Sequence, residues 1–203
     1  MPQTKRENGL ESIVGSRALA RLILHFAVHP DPPLHFRALQ RHTGLGNRSL
    51  QDQLEKLISW GVVAREDVDG TITYRSNLES PRWPALRALV RSFADPAEVL
   101  TEALADVSGI EAAFVFGSTA RGQARADSDV DLFVLGDSIP SSKLGRATSA
   151  VSVLLDREVD VKRFTRAKLC RILENGDTGF TTSALQGPKQ WVVGSDAALA
   201  LIA

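Results

Sequence analysis

Three short stretches of this 203-residue chain carry side chains that can do chemistry together. An apolar run, Phe114-Val-Phe116, ends in Gly117-Ser118 and is followed by a polar loop with Arg121 and Gly122. A second run, Ser128-Asp-Val-Asp-Leu-Phe-Val134, carries Asp129 and Asp131 one residue apart. A third, Arg157-Glu-Val-Asp-Val-Lys162, carries Asp160. Each reads as a short strand. On a strand, residues i and i+2 share a face, so Asp129 and Asp131 project together. Two like charges held that close repel unless a cation lies between them. One or two carboxylates, completed by waters and phosphates, are the usual protein contribution to a magnesium site. The flanks, Val130 and Leu132-Phe-Val134, belong to a buried strand and not to a solvated edge. Small residues such as Gly117 and Ser118 let backbone amides approach phosphate oxygens. The implied ligand is a metal-bound nucleoside triphosphate. If the strand bearing Asp160 pairs beside that of Asp131, Asp160 completes a triad.

Gly-Ser alone and Asp-x-Asp alone are weak signals, but each here follows an apolar run at a specific spacing. Gly117, Ser118, Arg121, Gly122, Asp129, Asp131 and Asp160 together resemble the nucleotidyltransferase superfamily of polymerase-beta type, and in detail its minimal, antitoxin-like MNT branch. The resemblance covers about Ile110 to Ala203. It implies transfer of a nucleoside monophosphate from a triphosphate, ATP by expectation, to an acceptor hydroxyl. Asp129 and Asp131 would bind magnesium. Asp160 would bind a second ion or take the acceptor's proton. Gly117 and Ser118 would cradle phosphates and Arg121 would neutralise their charge, with Arg125 and Lys162 as weaker candidates. The acceptor is open among a protein hydroxyl, an RNA end and a small molecule.

The elements that must position these residues follow from periodicity. Asp95-Pro96-Ala-Glu98 is a helix start with a capping aspartate, proline at the first position and glutamate at the third. Val99, Leu100, Ala103, Leu104 and Val107 form its buried stripe, and Ser108-Gly109 stop it. After the second strand, Ser141 or Ser142 caps a helix with an inner face of Leu144, Ala147, Val151, Leu154 and Leu155. From Thr165 onward there are two weakly helical pieces and an apolar Trp191-Val-Val193, with no chemistry visible in them. The expected order of helix, strand, strand, helix, strand makes a small mixed sheet with flanking helices.

The N-terminal half has a different pattern. Residues 1–11 read as a disordered lead. Ala18, Leu19, Leu22, Ile23 and Phe26 fall on one face of a helix over Gly15–Val28. His29-Pro-Asp-Pro-Pro33 breaks it. A short helix spans Phe36–His42, and a third runs from about Arg48 to Trp60 with Asn47 as cap. Val62–Arg65 and Thr71–Arg75 flank Asp69-Gly70, a strong hairpin signal. Leu45-Gly-Asn-Arg-Ser-Leu-Gln-Asp-Gln-Leu-Glu-Lys-Leu57 followed by Trp60-Gly-Val-Val63 resembles a winged helix-turn-helix of the bacterial ArsR/MarR-like regulators. That resemblance implies a DNA-binding surface: Arg48, Ser49, Gln51 and Gln53 on the third helix, Arg65 and Arg75 on the wing. The alternative is a packing or dimerisation module. His25 and His29, one helical turn apart, could form a metal pair or serve structurally.

The expected class is therefore α+β. Residues 12–78 form the winged helix, 79–95 a helical connector and 96–203 the nucleotidyltransferase-like domain. The net charge of zero conceals an asymmetry: residues 1–95 carry thirteen basic and ten acidic side chains, +3, and residues 96–203 eleven and fourteen, −3. The basic half suits an anionic partner such as double-stranded DNA. A single cysteine, Cys170, leaves no internal disulfide and agrees with a reducing cytoplasm. No apolar run is long enough to span a bilayer, and the polar N-terminus lacks a signal-peptide core. The expected protein is a cytoplasmic homodimer that joins nucleotidyl transfer to transcriptional regulation. The alternative is a non-catalytic nucleotide-sensing regulator or an antitoxin-like protein with a toxin-like partner.

Overall fold

The computed structural model describes residues 9–125, 128–175 and 179–200. It divides into two compact units, Met1–Asp95 and Pro96–Ala203.

The first unit holds α1 (Gly9–Val14), α2 (Arg17–Val28), β1 (Leu34–His35), α3 (Phe36–Thr43), α4 (Asn47–Ser59), β2 (Val63–Val68), β3 (Thr71–Ser76) and α5 (Trp83–Phe93). The expected disordered lead is corrected over residues 9–11, which open α1 because Leu10 is buried; residues 1–8 lie outside the described residues. Ser16 starts α2 by accepting from the Leu19 amide at 3.3 Å, a side-chain cap for an otherwise orphaned donor. Gly44, at φ 63°, ends α3 in the left-handed region. Asn47 is the first residue of α4 and not its cap; its Oδ1 accepts from Gln40 Nε2 at 2.6 Å and ties α4 to α3. β2 and β3 pair antiparallel through Val68↔Thr71. Asp69 and Gly70 both have positive φ, as a two-residue hairpin loop twisted like its strands requires. The two-residue β1, hidden from periodicity by its brevity, adds to β3 and makes the sheet order β1-β3-β2.

The second unit holds α6 (Pro96–Leu104), β4 (Ala112–Val115), α7 (Gly117–Ala120), β5 (Val130–Leu135), α8 (Ser141–Leu155), β6 (Val159–Phe164), α9 (Arg166–Glu174), α10 (Phe180–Gln186), β7 (Gln190–Val193) and α11 (Asp196–Ala200). The sheet order is β6-β5-β4-β7. β5 runs parallel to β6 and antiparallel to β4, and β7 pairs antiparallel with β4. A parallel pair needs a crossover, and α8 supplies it. The expected mixed sheet is present, and the apolar stretch of the tail supplies its fourth strand.

Strand parity sorts the side chains. Phe114 stacks on Phe133 at 4.6 Å, Phe133 on Phe164 at 4.8 Å, and Trp191 meets Phe114 edge-on at 5.1 Å. This aromatic row crosses all four strands on one face, where Leu169 and Ala184 cover it. Such pairs contribute about 0.5–1.5 kcal/mol each beyond their burial. Phe133 makes two of them, so Phe133→Leu is expected to cost about 1–3 kcal/mol. A lowered midpoint with unchanged slope in urea unfolding would register it; no change in midpoint would show that the row is not a stabilising unit.

Candidate functional site

Asp131 lies on the same face of β5 as Phe133, by the two-residue period of a strand. Across the parallel pairing Asp131 stands beside Asp160, as Phe133 stands beside Lys162. The carboxylates therefore stand at the N-terminal end of the aromatic row, on the central strand and its parallel neighbour. Asp129 precedes β5 by one residue and is exposed. Burial pushes the Asp131 carboxyl above its ordinary range, and the nearby charges of Asp160 and Asp129 push it further; Lys162 and Arg121 partly offset this. A half-buried acid facing two others is a site of accumulated negative charge.

Lys162 Nζ is 2.7 Å from Asp160 Oδ2. That hydrogen bond is the main reason the ammonium is held above its ordinary value. The three carboxylates do not all come within 4.8 Å of one another. Asp129 and Asp131 nevertheless offer hard oxygen donors with unbalanced charge, and two carboxylates are what a magnesium ion ordinarily takes from protein. The donor set fits a hard divalent cation.

Gly117 closes the site from β4. Its φ is +69°, and a Cβ there would overlap Asp131 Oδ2. Only glycine gives both the left-handed backbone and the room. The Phe116 amide donates to the Asp131 carbonyl at 3.0 Å, which fixes the approach. Gly117 and Ser118 open α7, a single helical turn where a loop was expected. Ser118 and Arg121 join Phe116, Gly117 and Asp131 along one side of a cleft of ≈ 340 Å³; Ser183, Ala184, Gly187 and Pro188 form the other. That second wall comes from the tail in which the sequence showed no chemistry.

Arg157 is the other residue that sequence reasoning passed over. It precedes β6. Its Nε donates to the Ser128 carbonyl at 2.5 Å, and its Nη2 to Thr119 Oγ1 at 3.1 Å and the Asp129 carbonyl at 3.3 Å. One planar guanidinium thus holds α7 and the start of β5 in one frame. Burial lowers its pKa, and Asp129 opposes that shift. Arg125 is exposed, its amide donating to Ser128 Oγ at 2.9 Å.

In the first unit, Arg48 and Gln51 are exposed on α4, Ser49 is half-buried and Arg65 is exposed on β2. Arg75 is half-buried and ion-paired to Glu66 at 2.7 Å. Gln53 departs from its expected place as a base reader. It is buried, because it follows the inward Leu50 by three residues and precedes the inward Leu57 by four. His25 is buried, with His29 and His42 half-buried near it.

No helix among the described residues is long and apolar enough to cross a membrane. No curated protein matches the chain. The segment from α6 to α9, which carries Gly117, Ser118, Asp129, Asp131 and Asp160, does have a counterpart: residues 98–178 match the family model described as Polymerase beta, Nucleotidyltransferase.

Proposed function

We propose that residues 96–203 transfer a nucleoside monophosphate from a nucleoside triphosphate, ATP by expectation, to an acceptor hydroxyl. The observation that carries this reading is the register pairing of Asp131 with Asp160 beside a glycine that only a bare backbone can occupy. The family match over the same residues supports it. Asp129 and Asp131 would hold magnesium, with Asp160 available to a second ion. Bound there, the metal neutralises phosphate charge that builds up during transfer. The acceptor oxygen bonds to the α-phosphorus, the bond to the bridging oxygen of the β-phosphate breaks, and pyrophosphate leaves. The hydroxyl proton passes to Asp160, whose charge Lys162 balances. Ser118 and the backbone at Gly117 hold the phosphate chain, and Arg121 adds a positive charge beside it. Positioning is most of the work in such reactions.

Arg157 acts on this site through what it holds. Arg157→Ala is expected to lower transfer about 10- to 100-fold, the scale of a misplacement of about 1 Å at a reacting centre. Circular dichroism should remain that of a folded chain. Unchanged transfer would show that α7 and β5 are aligned without it.

Residues 12–78 are read as a winged helix that binds double-stranded DNA as a homodimer. Exposed Arg48 and Gln51 on α4 and exposed Arg65 on the hairpin support this. Arg48→Ala is expected to weaken binding about tenfold or more, measured by fluorescence anisotropy at several salt concentrations. No salt-dependent binding to the DNA upstream of the protein's own coding sequence would remove the DNA reading.

The test of the whole is incubation of purified chain with each α-labelled nucleoside triphosphate and magnesium, alone and with lysate, against Asp129→Ala/Asp131→Ala. Label transferred by wild type alone is the expected result, and the labelled species identifies the acceptor class. Magnesium-dependent nucleotide binding without transfer would overturn catalysis and leave a nucleotide-sensing regulator or an antitoxin-like protein.

A further inference from the structure

We propose, resting on the transfer reading above, that the acceptor is an extended polypeptide segment that adds to the sheet along β6 and presents a serine, threonine or tyrosine hydroxyl to Asp160. The direction of attack is the first constraint. The attacking and leaving oxygens of a phosphoryl transfer lie roughly in line, on opposite sides of the phosphorus. Gly117 and Ser118, assigned to the phosphate chain, open α7 just after β4. Asp131 is on β5, and Asp160 is beside it on β6. Across the sheet the order is therefore leaving group, metal ligand, proton acceptor. The acceptor hydroxyl must arrive from the side of Asp160, and β6 is the last strand there.

That edge has backbone groups to offer. The Glu158 carbonyl accepts from the Val130 amide at 2.8 Å, and the Phe164 carbonyl from the Gly136 amide at 3.1 Å. Alternate residues of a strand bond to alternate sides. Glu158, Asp160, Lys162 and Phe164 thus direct their backbone groups to β5, while Val159, Val161 and Arg163 direct theirs outward. The outward Val159 amide donates to Ser152 Oγ at 3.1 Å. Among the described residues no strand lies beyond β6, and no partner meets the backbone amide or carbonyl of Val161 or Arg163. Two donor–acceptor pairs two residues apart are a template for another strand. A polypeptide repeats its donors and acceptors at that spacing, which a ribose–phosphate chain does not.

Antiparallel docking fixes what meets Asp160. Val161 exchanges both backbone bonds with one residue of the segment. The next residue toward the segment's C-terminus stands opposite Asp160 in a non-hydrogen-bonded pair, with Cα atoms about 4.5 Å apart. Its side chain lies on the face of Asp160 and Asp131. A hydroxyl there gives its proton to Asp160 as its oxygen bonds to the α-phosphorus and pyrophosphate leaves. The residue two positions before it stands opposite Lys162, which is half-buried, so an acidic side chain there adds a cross-strand charge pair.

The test supplies full-length protein with magnesium, each α-labelled nucleoside triphosphate in turn and an array of short synthetic peptides, each with one central serine, threonine or tyrosine. Peptides with an acidic residue two positions before the hydroxyl should label about threefold or more above those with lysine there; equal labelling would overturn the register. The residue just before the hydroxyl residue donates its amide to the Val161 carbonyl, and methylating that nitrogen should lower labelling about tenfold. Methylating the preceding amide, which points away from β6, should not. Val161→Pro removes only an outward donor, a change that an edge strand tolerates. It should lower peptide labelling about tenfold and leave magnesium-dependent nucleotide binding as in wild type. Labelling indifferent to both changes would overturn docking on the edge, as would label on an RNA oligonucleotide or a lysate component with none on any peptide. Wild type that labels no peptide, oligonucleotide or lysate component would instead remove the transfer reading itself, and the docking edge with it.

Discussion

Asp131→Asn is expected to abolish nucleotidyl transfer while making the protein more stable. The loss should reach about 10³-fold or more, since metal-assisted charge neutralisation is worth several kcal/mol and each 1.4 kcal/mol is a factor of ten. The gain has the opposite origin. Burial and the charges of Asp160 and Asp129 raise the Asp131 pKa in the folded chain. A carboxyl raised in this way favours the fold while protonated, and the benefit is lost as pH rises through its folded value. At pH 7 wild type therefore keeps an ionised Asp131 against its neighbours, and asparagine removes that cost. The melting temperature without magnesium should rise by about 2 °C, a modest shift because the half-exposed site is partly screened by water. The difference should shrink as pH falls toward about 4 and be smallest below it, where the carboxyl is neutral in the folded and the unfolded chain alike. Magnesium should raise the melting temperature of wild type and not of the variant. Differential scanning fluorimetry across pH, with and without magnesium, separates these outcomes. A destabilised variant would mean that Asp131 serves the fold, and retained transfer would remove it from the reaction.

This opposition between stability and activity was legible in the sequence in part, because it rests on strand parity. Asp129, Asp131, Phe133 and Leu135 alternate with apolar residues, so any strand through them carries acids and core on one face. The parallel pairing with Asp160 was accessible only as a condition, since nothing local fixes which strands become neighbours. The far wall of the cleft was not legible at all. Ser183, Gly187 and Pro188 reach the site because Gln190–Val193 crosses back to pair with β4, a contact between segments more than seventy residues apart. Arg157 was hidden for a related reason: its partners are Thr119 and two backbone carbonyls of residues 128 and 129, and backbone acceptors leave no mark in sequence. Gln53 failed in the other direction. Its polarity suggested a solvent-facing reader, while its spacing from Leu50 and Leu57 already placed it inside. Periodicity was the better guide there because a helix cannot turn one residue out of its stripe.

Gly117→Ala adds one methyl group and is expected to silence the site as effectively as removing a ligand. Two costs coincide. At φ +69° alanine must hold a left-handed backbone, at about 1–2 kcal/mol. Its Cβ also falls where Asp131 Oδ2 stands, so either the carboxylate rotates away or β4 separates from β5. The Phe116 amide bond to the Asp131 carbonyl holds the two strands together, and the core on both sides of Val115 and Leu132 is closed. The carboxylate is therefore the group that yields. A displacement of about 1 Å at such a centre lowers turnover about 100-fold, and loss of the metal ligand takes it further. Gly117→Ala should lose transfer about 10²- to 10³-fold and lower the melting temperature by about 2–8 °C. It should also lose the magnesium-dependent rise in melting temperature expected of wild type. The double variant Gly117→Ala/Asp131→Asn distinguishes the two costs. If the methyl acts by displacing the carboxylate, the double variant transfers no more slowly than Asp131→Asn alone and keeps the backbone penalty in its melting temperature. If the methyl acts by blocking phosphate at the backbone, nucleotide binding in magnesium-free buffer falls in both Gly117→Ala proteins while Asp131→Asn alone retains it. Wild-type transfer by Gly117→Ala would overturn the close fit of glycine and carboxylate on which the site is built.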